Sequence, residues 1–136
     1  MNKFFIDSDI FLDIFLERNF FGKSSALFYD LCAKSSDIEI YTSSICISNI
    51  HYIYSKHVGS EVAKSKLAYY LSSFGVIPTS ENAVVKAIES SFNDFEDALQ
   101  YFTCKENDIN LIITRNKKDY ALSRIPVVSP VEFLGN

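Results

Sequence analysis

Acidic side chains fall at two places in this chain where a fold can bring them together. Asp7 and Asp9 directly follow the short apolar run Lys3–Ile6, and Asp94, Glu96 and Asp97 open an apolar-periodic segment further on. A third polar group, Thr114, Arg115, Asn116 and Asp119, sits just past a second apolar run. Carboxylates gathered at one point repel each other strongly unless a cation sits among them. A set of oxygen donors favours Mg²⁺ or Mn²⁺ over zinc. Such an ion makes hydroxide from bound water and stabilises the charge that develops during in-line attack on a phosphate. Chemistry is therefore expected around Asn93–Asp119, with the N-terminal acids as partners.

The elements that must position these groups are readable from pattern. Asn93, followed three residues later by Glu96 and then by Ala98, Leu99 and Phe102, reads as an N-cap with a helix beginning at about Asp94. Asp94 and Asp97 then share one face, whereas Glu96 turns away. Asp94 and Glu96 also complement the helix dipole, at about 0.3–1 kcal/mol each. Asp97 lies beyond the first turn, beside apolar Ala98 and Leu99, and is harder to explain in that way. Ile109–Thr114 has strand length, β-branched content and no alternation, the mark of a strand buried on both faces of a parallel sheet. Ligands of such sheets gather beyond the carboxyl ends of the strands, where Thr114, Arg115, Asn116 and Asp119 fall. Lys3–Ile6 is the natural partner strand; its Asp7 mirrors Thr114–Asn116, and a helix carrying Phe11, Leu12, Phe15 and Leu16 follows.

The remaining segments alternate in the same way. A moderately amphipathic helix is expected over Phe20–Ser36, a strand over Ile38–Thr42, and a helix from Ser43 or Ser44. On that helix Cys46, Asn49, Ile50, Ile53 and His57 recur at helical spacing, so Asn49 is a polar residue on an apolar stripe. Gly59 interrupts, Ser60–Ser73 resumes a helix, and Val76–Ile77 is a short strand before Pro78. Another helix is expected over Ser80–Ser91, a short edge strand over Ile125–Ser129 with Pro126 at its start, and a final turn over Val131–Leu134. Strands separated by helices imply the α/β class: a three-layer α/β/α sandwich on a mainly parallel sheet of four or five strands, in a single domain over residues 1–136.

Composition narrows the function classes. With 48% hydrophobic and 22% charged residues the chain is globular rather than disordered, and 12 Phe with 8 Tyr predict an aromatic core. The net charge of −4 argues against a protein that grips nucleic acid over a broad surface, yet an acidic pocket becomes phosphate-binding once metal loads it. Cys32, Cys46 and Cys104 lack any paired spacing and are expected as reduced, buried thiols. His51 and His57 do not form a zinc-helix pair. No secretory leader and no apolar run of membrane-spanning length is visible, so a cytoplasmic location without membrane contact is expected.

Three motifs in order, FIDSDIFLDIFLER (Phe5–Arg18), NDFEDALQ (Asn93–Gln100) and IITRNKKDY (Ile112–Tyr120), together with the terminal IPVVSPVEFL, resemble the PIN-domain family and within it the VapC-like toxin ribonucleases. The resemblance implies a divalent-metal-dependent RNA endonuclease, the toxin of a type II toxin–antitoxin pair, using Mg²⁺ or Mn²⁺. Its partners would be an RNA substrate, a cognate antitoxin protein and a second copy in a homodimer. It makes Asp7 and Asp97 metal ligands, with Asp94, Asn116 and Asp119 as further ligands or water-positioning groups and Ser8 and Thr114 in support. Arg115, Lys117 and Lys118, with Arg18 and Lys23, would rim the site toward phosphates. Asp9 stands where relatives commonly carry Asn, and either adds an acid or caps the first helix. Asn49 stands where relatives often carry Glu, and is either a member of the site or a buried structural amide.

Two other readings compete. With amides at Asn49 and Asn116 the site can be too weakly charged to keep metal, which would leave a catalytically weak or inactive PIN-fold binding module. FIDSDIF also fits the strand-then-DxD start of haloacid-dehalogenase-like phosphatases, with Asp7 as nucleophile and Asp9 as acid, but the acidic pair which that family needs after a later strand is missing.

Overall fold

The computed structural model describes residues 1–135. In chain order the elements are β1 (Asn2–Ile6), α1 (Ser8–Phe15), α2 (Asn19–Lys34), β2 (Ile38–Ser43), α3 (Ser44–Val58), α4 (Ser60–Leu71), β3 (Gly75–Ile77), α5 (Glu81–Glu89), α6 (Phe95–Glu106), β4 (Leu111–Ile113), a one-turn 3-10 helix (Lys117–Tyr120), β5 (Val127–Val128) and α7 (Pro130–Gly135). The sheet has five strands in the order β3-β2-β1-β4-β5, and every pairing is parallel. The expected sandwich is therefore present, with the larger of the two strand counts.

Alternation along the strands divides the core. Phe4, Ile6, Ile40 and Ile113 point to one face, where Ile10, Phe11 and Phe15 of α1, Phe28 and Tyr29 of α2, and Ile50 and Tyr54 of α3 cover them. Phe5, Ile77 and Ile112 point to the other, against Tyr101 and Cys104 of α6 and Tyr120. Phe11 is fully buried and meets Phe15, Tyr29 and Phe74 edge-on, at centroid distances of 6.2, 5.6 and 5.4 Å. The aromatic richness of the composition is thus spent mainly on one face of the sheet.

Two glycines have geometric reasons. Gly59 joins α3 to α4 at φ +86°, a left-handed conformation that side chains disfavour. A Cβ on Gly22 would lie 3.0 Å from the Asp13 carbonyl oxygen, so glycine lets the start of α2 approach the end of α1.

Three local expectations are corrected. Asp94, not Asn93, caps α6: its Oδ1 accepts the Asp97 N–H at 2.9 Å, and the helix starts at Phe95. Ile109 is not in the strand, because its N–H closes the end of α6 on the Cys104 carbonyl at 3.2 Å, after Asp108 turns at φ 57°. The last strand shortens to Val127–Val128, since Pro126 has no N–H to offer and Pro130 already begins α7. Among the described residues no helix is long and apolar enough to cross a membrane.

Removing the Phe11 ring leaves a cavity between aromatic neighbours that are themselves held by the sheet. Phe11→Ala is expected to lower stability by about 3–5 kcal/mol, measured as a urea-unfolding midpoint. A loss comparable to that of a surface substitution would contradict this packing.

Candidate active site

β1 is the central strand, and Asp7 stands at its carboxyl end as the N-cap of α1. The Asp7 N–H still donates to the Ile113 carbonyl at 3.0 Å, which locks the residue to the neighbouring β4. Its carboxylate is buried, with four donors around it. Oδ1 accepts the Ser8 N–H at 2.8 Å and faces the Cys46 thiol at 3.7 Å; Oδ2 accepts the Thr114 hydroxyl at 3.1 Å and the Tyr120 hydroxyl at 3.2 Å. Burial raises the Asp7 pKa above the ordinary carboxylate value, and those donors partly oppose it.

Asp9 lies beside it, on the first turn of α1. Its Oδ2 accepts the Arg115 backbone N–H at 3.0 Å, with the Thr114 hydroxyl at 3.3 Å and the Asn116 amide at 3.5 Å. Thr114 has one hydroxyl proton, so it serves Asp7 or Asp9 at any moment. Asp9 Oδ1 is buried and has no hydrogen-bond partner among the described residues. Burial, and then the charge of Asp7, push the Asp9 carboxyl up to about 7.

The third contribution comes from α6. Asp94 caps the helix, and Asp97 follows one turn on. Partial burial, then Asp7, Asp94, Asp119 and Glu96 in that order, push the Asp97 carboxyl up to about 8. Asp119, on the 3-10 helix, is thus near enough to Asp97 for its charge to be felt. Glu96, read from the sequence as facing elsewhere, is exposed, yet its pKa is raised by burial and by the charge of Asp7. Asn49 turns its amide into the same region, donating to the Ser8 hydroxyl at 3.1 Å.

The expected phosphate rim is largely committed elsewhere. Arg115 grips buried Asp13 through Nε at 2.6 Å and Nη2 at 2.9 Å, and Arg18 approaches the same carboxylate at 3.3 Å. Lys117 pairs with Glu132 at 2.8 Å on the surface, whereas Lys118 and Lys23 are exposed. Three participants were not singled out in the sequence. Tyr120 closes the third motif, Cys46 shares the helical stripe of Asn49, and Asp13 is an acid set among Phe11, Leu12 and Phe15. An acid inside an apolar stripe was the one available signal.

The donor set fits a hard divalent cation. It consists of carboxylates that destabilise one another, with one buried oxygen left unbonded at Asp9. Among the described residues no group of three His, Cys, Asp or Glu side chains is placed to hold a metal ion, so at most two of these acids could bind one directly. A Mg²⁺-like ion that keeps several waters needs only one or two of them directly.

A family model for the PIN domain matches residues 3–118. The chain belongs to the PIN-domain family. It is 31% identical to Ribonuclease VapC1 of Aquifex aeolicus (strain VF5), over 96% of this chain and 92% of the relative. The fold is similar to that of VapBC2 from Rickettsia felis, solved bound to a DNA fragment from its promoter, with a TM-score of 0.70 at 19% identity, over 93% of this chain and 96% of that one. It is also similar to VapC20 of Mycobacterium tuberculosis, described as a sarcin-ricin-loop-cleaving toxin, with a TM-score of 0.71 at 11% identity, over 88% of this chain and 94% of that one. Family membership replaces the phosphatase alternative for Asp7 and Asp9.

The raised acids make the unloaded PIN domain pH-sensitive. Asp9 and Asp97 protonate near 7 and 8 when folded but near the ordinary 3.8 when unfolded, so at intermediate pH the folded state holds protons that the unfolded state lacks. That contribution is complete below the unfolded value and is lost as pH rises through the folded ones. In chelator, the melting midpoint should therefore fall progressively from about pH 4 and level off above about pH 8. Asp97→Asn should flatten the upper part of the fall, and a midpoint that rises with pH over this window would contradict the clustering.

Proposed function

We propose that this PIN domain is a divalent-metal-dependent RNA endonuclease and the toxin of a type II toxin–antitoxin pair, acting in the cytoplasm. The observation that carries the reading is the pair of carboxylates Asp7 and Asp9, both met by the Thr114 hydroxyl at the carboxyl ends of β1 and β4, with Asp97 of α6 near enough to feel the charge of Asp7. Likeness to a protein named as a ribonuclease supports the reaction class. Neighbours described as VapBC or toxin–antitoxin complexes support an antitoxin partner. A homodimer belongs to the same reading, by analogy with small PIN proteins.

Asp7 and Asp97 would hold Mg²⁺ or Mn²⁺, with Asp94, Asp119 and Asn116 as further ligands or water-positioning groups. When bound, the ion supplies an activated water at neutral pH and offsets negative charge at the phosphorus. Thr114, Tyr120, Cys46 and the Ser8 N–H fix the Asp7 carboxylate in one orientation. Lys118, exposed and uncommitted to the acid cluster, would meet the RNA backbone as a point charge.

Asp7→Asn and Asp97→Asn should each abolish Mn²⁺-dependent cleavage of a mixed RNA substrate while the chelated proteins melt no lower than wild type. Like charge is removed from a crowded site, and the amide keeps the shape. A double variant that still cut RNA with full metal dependence would move the chemistry elsewhere.

One observation favours a catalytically weak binding module instead: the polar residue that α3 turns to the site is Asn49, an amide that adds no charge. Metal affinity at hard-cation sites tracks charged ligands, so the native site should bind weakly. Asn49→Glu should then raise the midpoint with Mn²⁺ and lower it in chelator, where another carboxylate joins the cluster unpaired. Equal destabilisation in both conditions would make Asn49 a structural amide only.

A further inference from the structure

A cleft of about 290 Å³ opens beside the acid cluster, lined by Phe21, Ser24 and Ser25 of α2, by Arg115 after β4, and by Ser129, Pro130 and Val131 at the start of α7. It lies past the carboxyl ends of β4 and β5, on the side of the sheet where ligands of parallel folds collect. Arg115 joins the two places. Its backbone N–H holds Asp9, while its guanidinium lies over the Phe21 ring, with Cζ 4.1 Å from the centroid. The close approach of α1 and α2 at Gly22 is what brings Phe21 there.

The chemistry of the walls selects the occupant. Asp13 takes Arg115 Nε and Nη2 in a bidentate grip, which holds the guanidinium plane still. Nη1 makes no hydrogen bond among the described residues and remains a donor toward the cleft side. A guanidinium held by Asp13 over a half-exposed phenyl ring offers a stacking surface and a donor fixed in place. With Phe21, Pro130 and Val131 making much of the lining apolar, this suits a planar heterocycle with carbonyl or ring-nitrogen acceptors better than a phosphate. Unpaired bases stack in this way on aromatic rings and on guanidinium planes. Serine hydroxyls on two walls can accept or donate to the edge of such a base.

We propose that this cleft receives an unpaired nucleobase of the substrate strand, stacked on the paired Arg115 and Phe21 side chains and hydrogen-bonded by Arg115, next to the phosphate that the acid cluster faces. The inference rests on the RNA reading above and adds to it where the enzyme contacts a base rather than the backbone. Phe21 is 43% exposed, so changing it spares the core.

The chain has no tryptophan, so Phe21→Trp creates a single fluorescent reporter in the cleft. Binding of a labelled single-stranded oligoribonucleotide of mixed sequence is followed by anisotropy on the Asp7→Asn background, which keeps the strand intact. Phe21→Ala should weaken binding by about tenfold or more, the scale of losing one stacked base. Phe21→Trp should bind as tightly as the parent, and its emission should be quenched in step with the anisotropy. An alanine variant that binds like the parent, or a tryptophan that is unmoved while the anisotropy rises, overturns the cleft assignment and leaves the RNA reading standing. An anisotropy that does not rise for the parent protein overturns the RNA reading, and the cleft assignment with it.

Discussion

The buried carboxylate of Asp7 is the constraint around which this PIN domain is arranged. Burying a charge is costly unless hydrogen bonds replace the lost water. Here the replacements come from four places: the Ser8 N–H, the Cys46 thiol on α3, the Thr114 hydroxyl after β4 and the Tyr120 hydroxyl on the 3-10 helix. The strand order makes this possible, because β1 is central and the ends of β2 and β4 flank its own. The donors do not fully offset burial, so the carboxyl stays raised. A cation among these acids would relieve the remaining strain, and catalysis and metal binding would then draw on the same stored repulsion.

Acids of one type have opposite fates within a few residues of α1. Asp13 is fully buried, yet Arg115 meets it with two hydrogen bonds and Arg18 approaches it as well. Asp9, one helical turn earlier, has no cation in contact and keeps a buried oxygen unbonded. The ion pair holds the loop after β4 in place, and through that loop the Arg115 N–H and the Thr114 hydroxyl reach Asp9 and Asp7. A paired acid thus acts as scaffold and an unpaired one as a candidate ligand. Removing one partner of a buried pair is more damaging than never having had the pair, so the loop geometry depends on both Asp13 and Arg115.

Much of this was readable from periodicity. The short apolar run Lys3–Ile6, the apolar run before Thr114 and the helical stripes carrying Phe11 or Ile50 mark the segments that turn inward, because side-chain direction follows from backbone type. Class, layer count and the parallel sheet follow from those patterns together with the motif resemblance. Boundaries were less legible. Whether Asn93 or Asp94 caps α6, or whether Ile109 pairs in a strand or closes a helix, depends on a single hydrogen bond that both sequences of events would permit.

What the chain determined by itself, then, was the set of local elements and the acids at their ends. Only the tertiary structure decided which polar groups those acids meet. Tyr120 on Asp7, Cys46 on Asp7 and Arg115 on Asp13 join residues far apart in the chain, and neither spacing nor propensity encodes such pairs. The same holds for the rim: Arg115 and Lys117 look like phosphate contacts in sequence, and both are occupied by acids, Asp13 and Glu132, that packing brings to them. The physical reason is that local pattern sets the direction of a side chain, whereas its partner is set by strand order and by how closely neighbouring helices approach.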